Sequence, residues 1–221
     1  MPFLTLKLWC VSTVELDFDS MNKTLRNATA VEIVAWALGL GRRTIATTSM
    51  GLNAAVMLHL VYQVDKSLPT IWVDTGYNLR DTYVVAERMI RNLEVNIQIY
   101  SPTITSERRN ALMGGIPTVD EEERHQEFTR QVKLEPFDRA LEDYQPEIWL
   151  TGIRRGETEL RKSLDIVSTD GRGIIKVAPL FYWSDDEVED YMEQHELPTC
   201  RHYFDPTKVY DGRECGLHTA A

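Results

Sequence analysis

The sequence predicts an α/β fold, a parallel sheet sandwiched by helices, with a flexible C-terminal arm. Three observations carry this. Runs rich in β-branched residues alternate with helical periodicities as strand–helix–strand–helix–strand through the first hundred residues, an order that implies parallel strands joined by helical crossovers. A chain of 221 residues, 43% apolar and with five Trp and nine Tyr, can bury a sizeable core. After Leu197, Pro198, Pro206, Gly212 and Gly216 replace any periodic pattern. The expected division is a nucleotide-binding α/β domain over 1–196 and an arm over 197–221.

The elements follow in order. Val31, Val34, Ala35 and Leu38 recur at helical spacing, which predicts a helix over 20–40 with Ser20 as its N-cap and Gly39 and Gly41 as its stop. Arg43–Thr48 reads as a strand that ends in Ser49-Met50-Gly51, and Leu52–Val64 as the helix after it. Pro69–Asp74 is a second strand ended by Thr75-Gly76, residues 79–92 a helix, and Val95–Tyr100 a third strand. The polar stretch 101–132 reads as surface helix and loop. It contains Gly114-Gly115 and the charge run Asp120 to Arg124. Leu134–Leu141 is helical, Glu147–Gly152 a strand running into a turn, and Ile174–Ala178 a strand. Ser184-Asp185-Asp186-Glu187 has the pattern of a helix cap for residues up to about Gln194.

Composition narrows the function. Lys and Arg total 24 against 34 Asp and Glu, a net charge of −10, so no global attraction draws the chain to nucleic acid or an anionic membrane. No run reaches the roughly 18–20 apolar residues of a membrane span, and the N-terminal residues lack a basic-then-apolar signal order. A cytoplasmic protein is expected. The three cysteines, Cys10, Cys200 and Cys215, form no CxxC, which argues against a disulfide scaffold or a four-cysteine metal or iron–sulfur site.

In open α/β sheets ligands bind beyond the carboxyl ends of the strands, and three such ends carry chemistry. Thr47-Thr48-Ser49-Met50-Gly51 precedes a helix start. Hydroxyls and free amides there suit phosphate or sulfate, although Ser and Thr in this place also serve as caps. Asp74-Thr75-Gly76-Tyr77 offers an acid for a ribose or a metal, or else for its own turn amides. The third end is Thr151-Gly152-Ile153-Arg154-Arg155, where Arg154, Arg155, Arg161 and Lys162 put four cations within nine residues. Clustered Arg after a strand suits an oxyanion, and pairing with Glu157 and Glu159 is the plainer alternative. In the arm, Cys215 lies between Arg213 and His218 in a Gly-flanked segment, conditions that favour a thiolate. Cys10 reads as structural and His59 as a residue at the edge of the core.

Taken in order, Thr48 to His59, Val73-Asp74-Thr75-Gly76-Tyr77, Lys133-Leu134-Glu135-Pro136 with Arg139, Gly152-Ile153-Arg154-Arg155 with Arg161, Lys176-Val177-Ala178-Pro179 and Glu214-Cys215-Gly216-Leu217-His218 resemble the thioredoxin-dependent phosphoadenylyl-sulfate (PAPS) reductases. The resemblance spans residues 20 to 218. It implies an adenine nucleotide α-hydrolase-like fold, usually in a homodimer. Thr48, Ser49 and Gly51 would cradle phosphate–sulfate oxygens, and Asp74, Gly76 and Tyr77 would line the nucleotide pocket. Lys133, Arg154, Arg155, Arg161 and Lys176 would neutralise the substrate. Cys215, aided by His218, would attack the sulfonyl sulfur, and thioredoxin or glutaredoxin would release sulfite. Adenylyl-sulfate (APS) reductases resemble the chain too but add paired cysteines for a four-iron cluster. With only Cys200 and Cys215 in the second half, the resemblance implies PAPS as substrate, no cluster and no metal.

Two features depart from the family pattern. Cys215 follows Trp183 by only 32 residues, a shorter interval than is usual, though an extended arm at about 3.3 Å per residue still spans tens of ångströms. Arg154-Arg155-Gly156-Glu157-Thr158 stands where Arg-Arg-Glu-Gln-Ser is usual. Two rival readings follow. An adenylating ATP-pyrophosphatase relative would carry an acid in the first loop, where this chain has Asn53; release of pyrophosphate from ATP would reveal it. A non-catalytic nucleotide-binding protein would have no need of Cys215.

Overall fold

The computed structural model describes residues 17–118, 120–208 and 217. Six strands form one sheet in the order β3-β2-β1-β4-β6-β5: β1 Thr44–Thr48, β2 Thr70–Val73, β3 Ile97–Tyr100, β4 Ile148–Leu150, β5 Val167–Thr169 and β6 Ile175–Val177. Neighbours pair in parallel except β5, which runs antiparallel to β6 with Ser168 opposite Lys176. The sheet is therefore mixed rather than wholly parallel, and β5 at its edge is a strand the sequence reading omits.

Strand residues alternate between the two faces, as the period of two requires. Ala46, Trp72, Ile148, Leu150, Ile175 and Val177 enter the larger core. It is closed by helices α1 Phe18–Leu25, α2 Ala30–Gly39, α3 Ala54–Asp65, α4 Arg80–Leu93 and α8 Asp185–Gln194. Ile45, Ile71 and Trp149 point the other way and pack with Phe137 and Ala140 of helix α7 Glu135–Tyr144. Phe137 and Trp149 lie 5.0 Å apart between ring centroids, and the Trp149 indole donates to Thr47 Oγ1 at 2.8 Å.

Two helices replace the single one predicted over 20–40. The chain breaks before Thr29, which builds a capping box with Glu32 and restarts the helix as α2. The cap of α1 is Asp17, whose carboxylate accepts from the Ser20 amide, so Ser20 lies inside the helix. Residues 101–132 are less superficial than their polarity implies. Helices α5 Ser106–Met113 and α6 Glu122–Thr129 bury Arg109, His125 and Phe128. The turn Arg130–Leu134 is π-helical, links α6 to α7 without a break, and buries Val132 and Lys133. Such a turn holds one extra residue, which rotates side chains inward at that point. Ser184 and Glu187 form the expected capping box on α8. His59 sits on the α3–α8 seam, where its Nδ1 lies 2.9 Å from the Tyr191 hydroxyl and its ring 4.7 Å from that of His195. Among the described residues no helix is long and apolar enough to cross a membrane.

Candidate active site

Sheet order reverses between β1 and β4: the chain builds outward from β1 to β2 and β3, then crosses to the other side for β4. At such a switch point the loops leaving the two central strands diverge and open a crevice. Here they frame a cleft of about 310 Å³, lined by Thr48, Ser49 and Gly51 after β1 and by Thr151, Gly152 and Arg154 after β4.

The loop after β1 is held by its own hydroxyls. The Met50 amide donates to Thr48 Oγ1 at 3.1 Å, and the Gly51 amide to Ser49 Oγ at 3.3 Å. Met50 has φ of 53° with its side chain fully buried, a left-handed conformation that its packing maintains. At Gly51 a Cβ would come within 3.1 Å of Ser49 Oγ and 3.4 Å of the Tyr203 ring, so glycine permits the C-terminal segment to close over the loop. Helix α3 begins immediately afterwards, with no side-chain hydrogen bond from its cap residue Asn53, and its first turn supplies partial positive charge.

Cations converge from two directions, each matched by a carboxylate. Arg154 lies 2.7 Å from Asp185 and 3.5 Å from Glu157, and Arg161 binds Glu157. Their side chains are only 9% and 6% exposed. From the π-helical turn Lys133 Nζ reaches Asp205 Oδ2 at 2.5 Å and Thr207 Oγ1 at 3.1 Å. Burial pushes the Asp205 carboxyl up, but the Lys133 charge and hydrogen bonds from Lys133 and Thr207 outweigh it and hold the group below its ordinary value. Lys208 adds an exposed cation at the rim. Phe137, Ile71, Val73 and Leu180 give the cleft an apolar wall, suited to a flat aromatic ring.

Six of the residues predicted for the site share this cleft: Thr48, Ser49, Gly51, Lys133, Arg154 and Arg161. Asp74, Gly76 and Tyr77 lie outside its lining. Asp74 accepts from the Gly76 amide at 3.0 Å, Asn78 Nδ2 at 2.9 Å and the Tyr83 hydroxyl at 2.7 Å. It thereby shapes the turn that delivers Thr75 and Asn78 to the cleft. Burial and the Asp74 carboxylate push the Tyr83 hydroxyl up to about 12. Tyr77 donates to Asn110 at 2.9 Å and sets its ring against Phe128.

Arg155, exposed beside the Tyr182 ring, faces a separate shallow depression that it shares with Lys162 and Trp183. Lys176 is buried on β6 with Nζ 5.3 Å from the Trp149 ring centroid. Cys215 and His218 lie outside the described residues, as does Cys10. Leu217, beside them in the chain, lines the cleft and packs on the smaller core. Cys200 is buried, which pushes its thiol up. Thr47 and Thr151, which open two of the strand ends singled out in the sequence, also line the cleft, whereas sequence reading missed Tyr203 and Asp205. The two threonines share the strand parity of Ile45 and Trp149, whereas nothing local marks Asp205. Among the described residues no group of three His, Cys, Asp or Glu could hold a metal ion.

Residues 43–206 match the model of the phosphoadenosine phosphosulfate reductase domain. The chain belongs to that family. Membership makes it an oxidoreductase acting on a sulfur group. The phosphoadenosine 5'-phosphosulfate reductase of Synechocystis sp. is 36% identical over 185 residues, which cover 83% of this chain and 74% of that one. The Proteus mirabilis protein of the same name is 31% identical over 196 residues, covering 87% and 79%. Among solved structures, PAPS reductase from Candida auris in its phosphate complex superposes with a TM-score of 0.74 at 24% identity, over 85% of this chain and 91% of that one. Candida glabrata FMN adenylyltransferase with FAD and pyrophosphate gives 0.57 at 13% identity, over 85% and 63%. The fold is shared with both of these solved structures. The family match ends at Pro206, before Cys215.

Proposed function

We propose that the cleft reduces PAPS to sulfite and adenosine 3',5'-bisphosphate, with Cys215 as the nucleophile. The observation that carries this is the seating of Leu217, from the segment Glu214 to His218, in the wall of a cleft lined by Lys133, Arg154 and Arg161. A chain of net charge −10 needs such a local cluster to hold a strongly anionic nucleotide. Two peptide units span at most about 7 Å, so a thiolate two residues before Leu217 has the reach to meet a sulfonyl group in the cleft.

The steps balance as follows. The Cys215 thiolate forms a bond to the sulfonyl sulfur, the S–O bond to phosphate breaks, and the nucleotide leaves with that electron pair. Arg154 and Arg161 stabilise the charge that develops on the leaving phosphate, while His218 favours the thiolate. A dithiol donor, thioredoxin or glutaredoxin, then attacks Cys215 Sγ of the S-sulfonate. Sulfite departs with the S–S electron pair, and the donor's second thiol frees Cys215 from the mixed disulfide. Sulfur is reduced by two electrons and the donor dithiol is oxidised to a disulfide. In this reading residues 197–221 are the catalytic arm, Asp74 and Tyr77 support the nucleotide side of the cleft, and the enzyme works as a cytoplasmic homodimer without an iron–sulfur cluster.

The test is sulfite release from PAPS with reduced thioredoxin, with APS in parallel. Turnover of PAPS that Cys215→Ser abolishes while nucleotide binding persists is the expected outcome. Pyrophosphate release from ATP without sulfite would overturn it.

A further inference from the structure

We propose that Asp205 is an internal anion that competes with the ligand for Lys133 and so selects for ligands charged enough to displace it. This rests on the reading of the cleft as a site for an anionic nucleotide. Side chains of Lys133 and Asp205 are 9% and 5% exposed, so the pair is formed inside the cleft and not at its rim. Thr207 completes it, donating to Asp205 Oδ1 through its amide at 3.0 Å and its hydroxyl at 2.7 Å. A carboxylate from the chain itself thus stands on a lysine that lines the cleft.

Its attachment distinguishes Asp205 from the other carboxylate in the lining. Glu157 belongs to the loop that carries Arg154 and Arg161, and its Oε2 also accepts from the Arg154 amide at 3.2 Å, so it cannot leave without dismantling that loop. Asp205 is borne by a strap beyond α8. The strap is pinned at its start, where Thr199 Oγ1 donates to the Leu52 carbonyl at 2.8 Å and the Arg201 amide to Asp81 Oδ2 at 2.8 Å. Past these anchors Tyr203, Phe204, Asp205, Pro206 and Lys208 line the cleft. In the proposed exchange residues 203–208 swing from the cleft while these anchors stay.

A buried ammonium needs an anion beside it. Exchange of the Asp205 carboxylate for a ligand oxyanion keeps an anion beside the ammonium, whereas an uncharged ligand supplies none. Were Asp205 to remain in place, it would repel the incoming anion across a few ångströms of low-dielectric space. Arrival of an anionic ligand and release of the strap are therefore one exchange, and the released strap leads directly to Cys215.

Affinity for adenosine 3',5'-bisphosphate, measured by calorimetry on the full chain, tests this. Asp205→Asn keeps the shape and removes the competing charge. It is expected to bind the bisphosphate roughly ten- to hundredfold tighter, the range of one charge-assisted hydrogen bond, with little gain for uncharged adenosine. Thr207→Val, which loosens the carboxylate without removing it, should give a smaller gain in the same direction. In the wild type, amide exchange at Thr207 and Lys208, which donate to Asp205, should accelerate when bisphosphate is added. Should Asp205→Asn fail to fold by circular dichroism, the Thr207 variant and the exchange measurement decide. Unchanged or weaker binding by the variants, or slower exchange at those amides, would overturn the proposal and make Asp205 a support for Lys133. The reading of the cleft would survive that result. A folded wild type that binds no bisphosphate would overturn both.

Discussion

Replacing Lys133 with Met keeps the length and apolar stem of the side chain but deletes the ammonium, leaving the Asp205 carboxylate buried opposite a methyl group. The pair is 2.5 Å apart, with side chains 9% and 5% exposed, so solvent offers little substitute. Removing one partner of a buried pair is destabilising by about 3–5 kcal/mol. For a chain of this length each kcal/mol lowers Tm by about 2–4 °C, which gives a fall of about 6–20 °C. Strap undocking sets the ceiling: once residues 203–208 leave the cleft, Asp205 is hydrated and the loss stops growing. The measurements are urea unfolding, a double-mutant cycle with Asp205→Asn, and limited proteolysis of the strap. We expect the double variant to be more stable than Lys133→Met alone, with either the full Tm loss or new cleavage between Thr199 and Lys208. A Lys133→Met protein within 1 kcal/mol of wild type, equally resistant to cleavage and additive with Asp205→Asn, would refute the reasoning.

Further outcomes follow from the same geometry. Since the folded-state pKa of Asp205 lies below its ordinary value, its contribution is complete above about pH 4 and lost as pH falls through the folded value. The stability difference between wild type and Asp205→Asn should shrink in acid, and a constant difference down to pH 2 would contradict the pairing. Arg161→Met should weaken bisphosphate binding roughly tenfold or more, whereas Arg155→Ala, on the surface beside Tyr182, should change stability by no more than about 0.5 kcal/mol and leave binding nearly unaltered. Equal losses of affinity would show the two arginines acting together. Asp74→Ala should be destabilising by about 1–3 kcal/mol through the unpaired turn donors, and ultraviolet titration should find the Tyr83 hydroxyl lowered from about 12. An unmoved titration would show the carboxylate does not govern that tyrosine.

Much of this architecture was legible because local signals coincide with it. Five strands occupy the β-branched runs read as strands, and the switch-point loops carry the hydroxyls and arginines that single them out in the sequence. Thr29 and Glu32 carry a visible capping box, yet the apolar periodicity on both sides of the break masked it. Val167–Thr169 escaped because three residues at an antiparallel edge have no period to detect. The inward turn of Lys133 depends on the π-helical geometry of Arg130–Leu134, which no propensity encodes. Asp205 was hidden for a deeper reason. Its partner is 72 residues away, and a carboxylate in a Pro-containing tail reads as solvated until the strap is folded onto the cleft. Lys176 was picked out by resemblance as a substrate cation; it sits over the Trp149 ring, whose neighbours Thr47 and Phe137 line the cleft, and is not itself part of that lining.

Whether Cys215 receives the sulfonate is tested most directly by intact-protein mass spectrometry of the reduced chain mixed with PAPS, and separately with APS, in the absence of any dithiol. Gain of one SO₃ group with PAPS, mapped to Cys215, absent from Cys215→Ser, and discharged as sulfite by reduced thioredoxin, is the predicted result. An adduct formed only with APS would preserve the chemistry and reverse the substrate. No adduct with either, in a protein that still binds adenosine 3',5'-bisphosphate, would contradict the account.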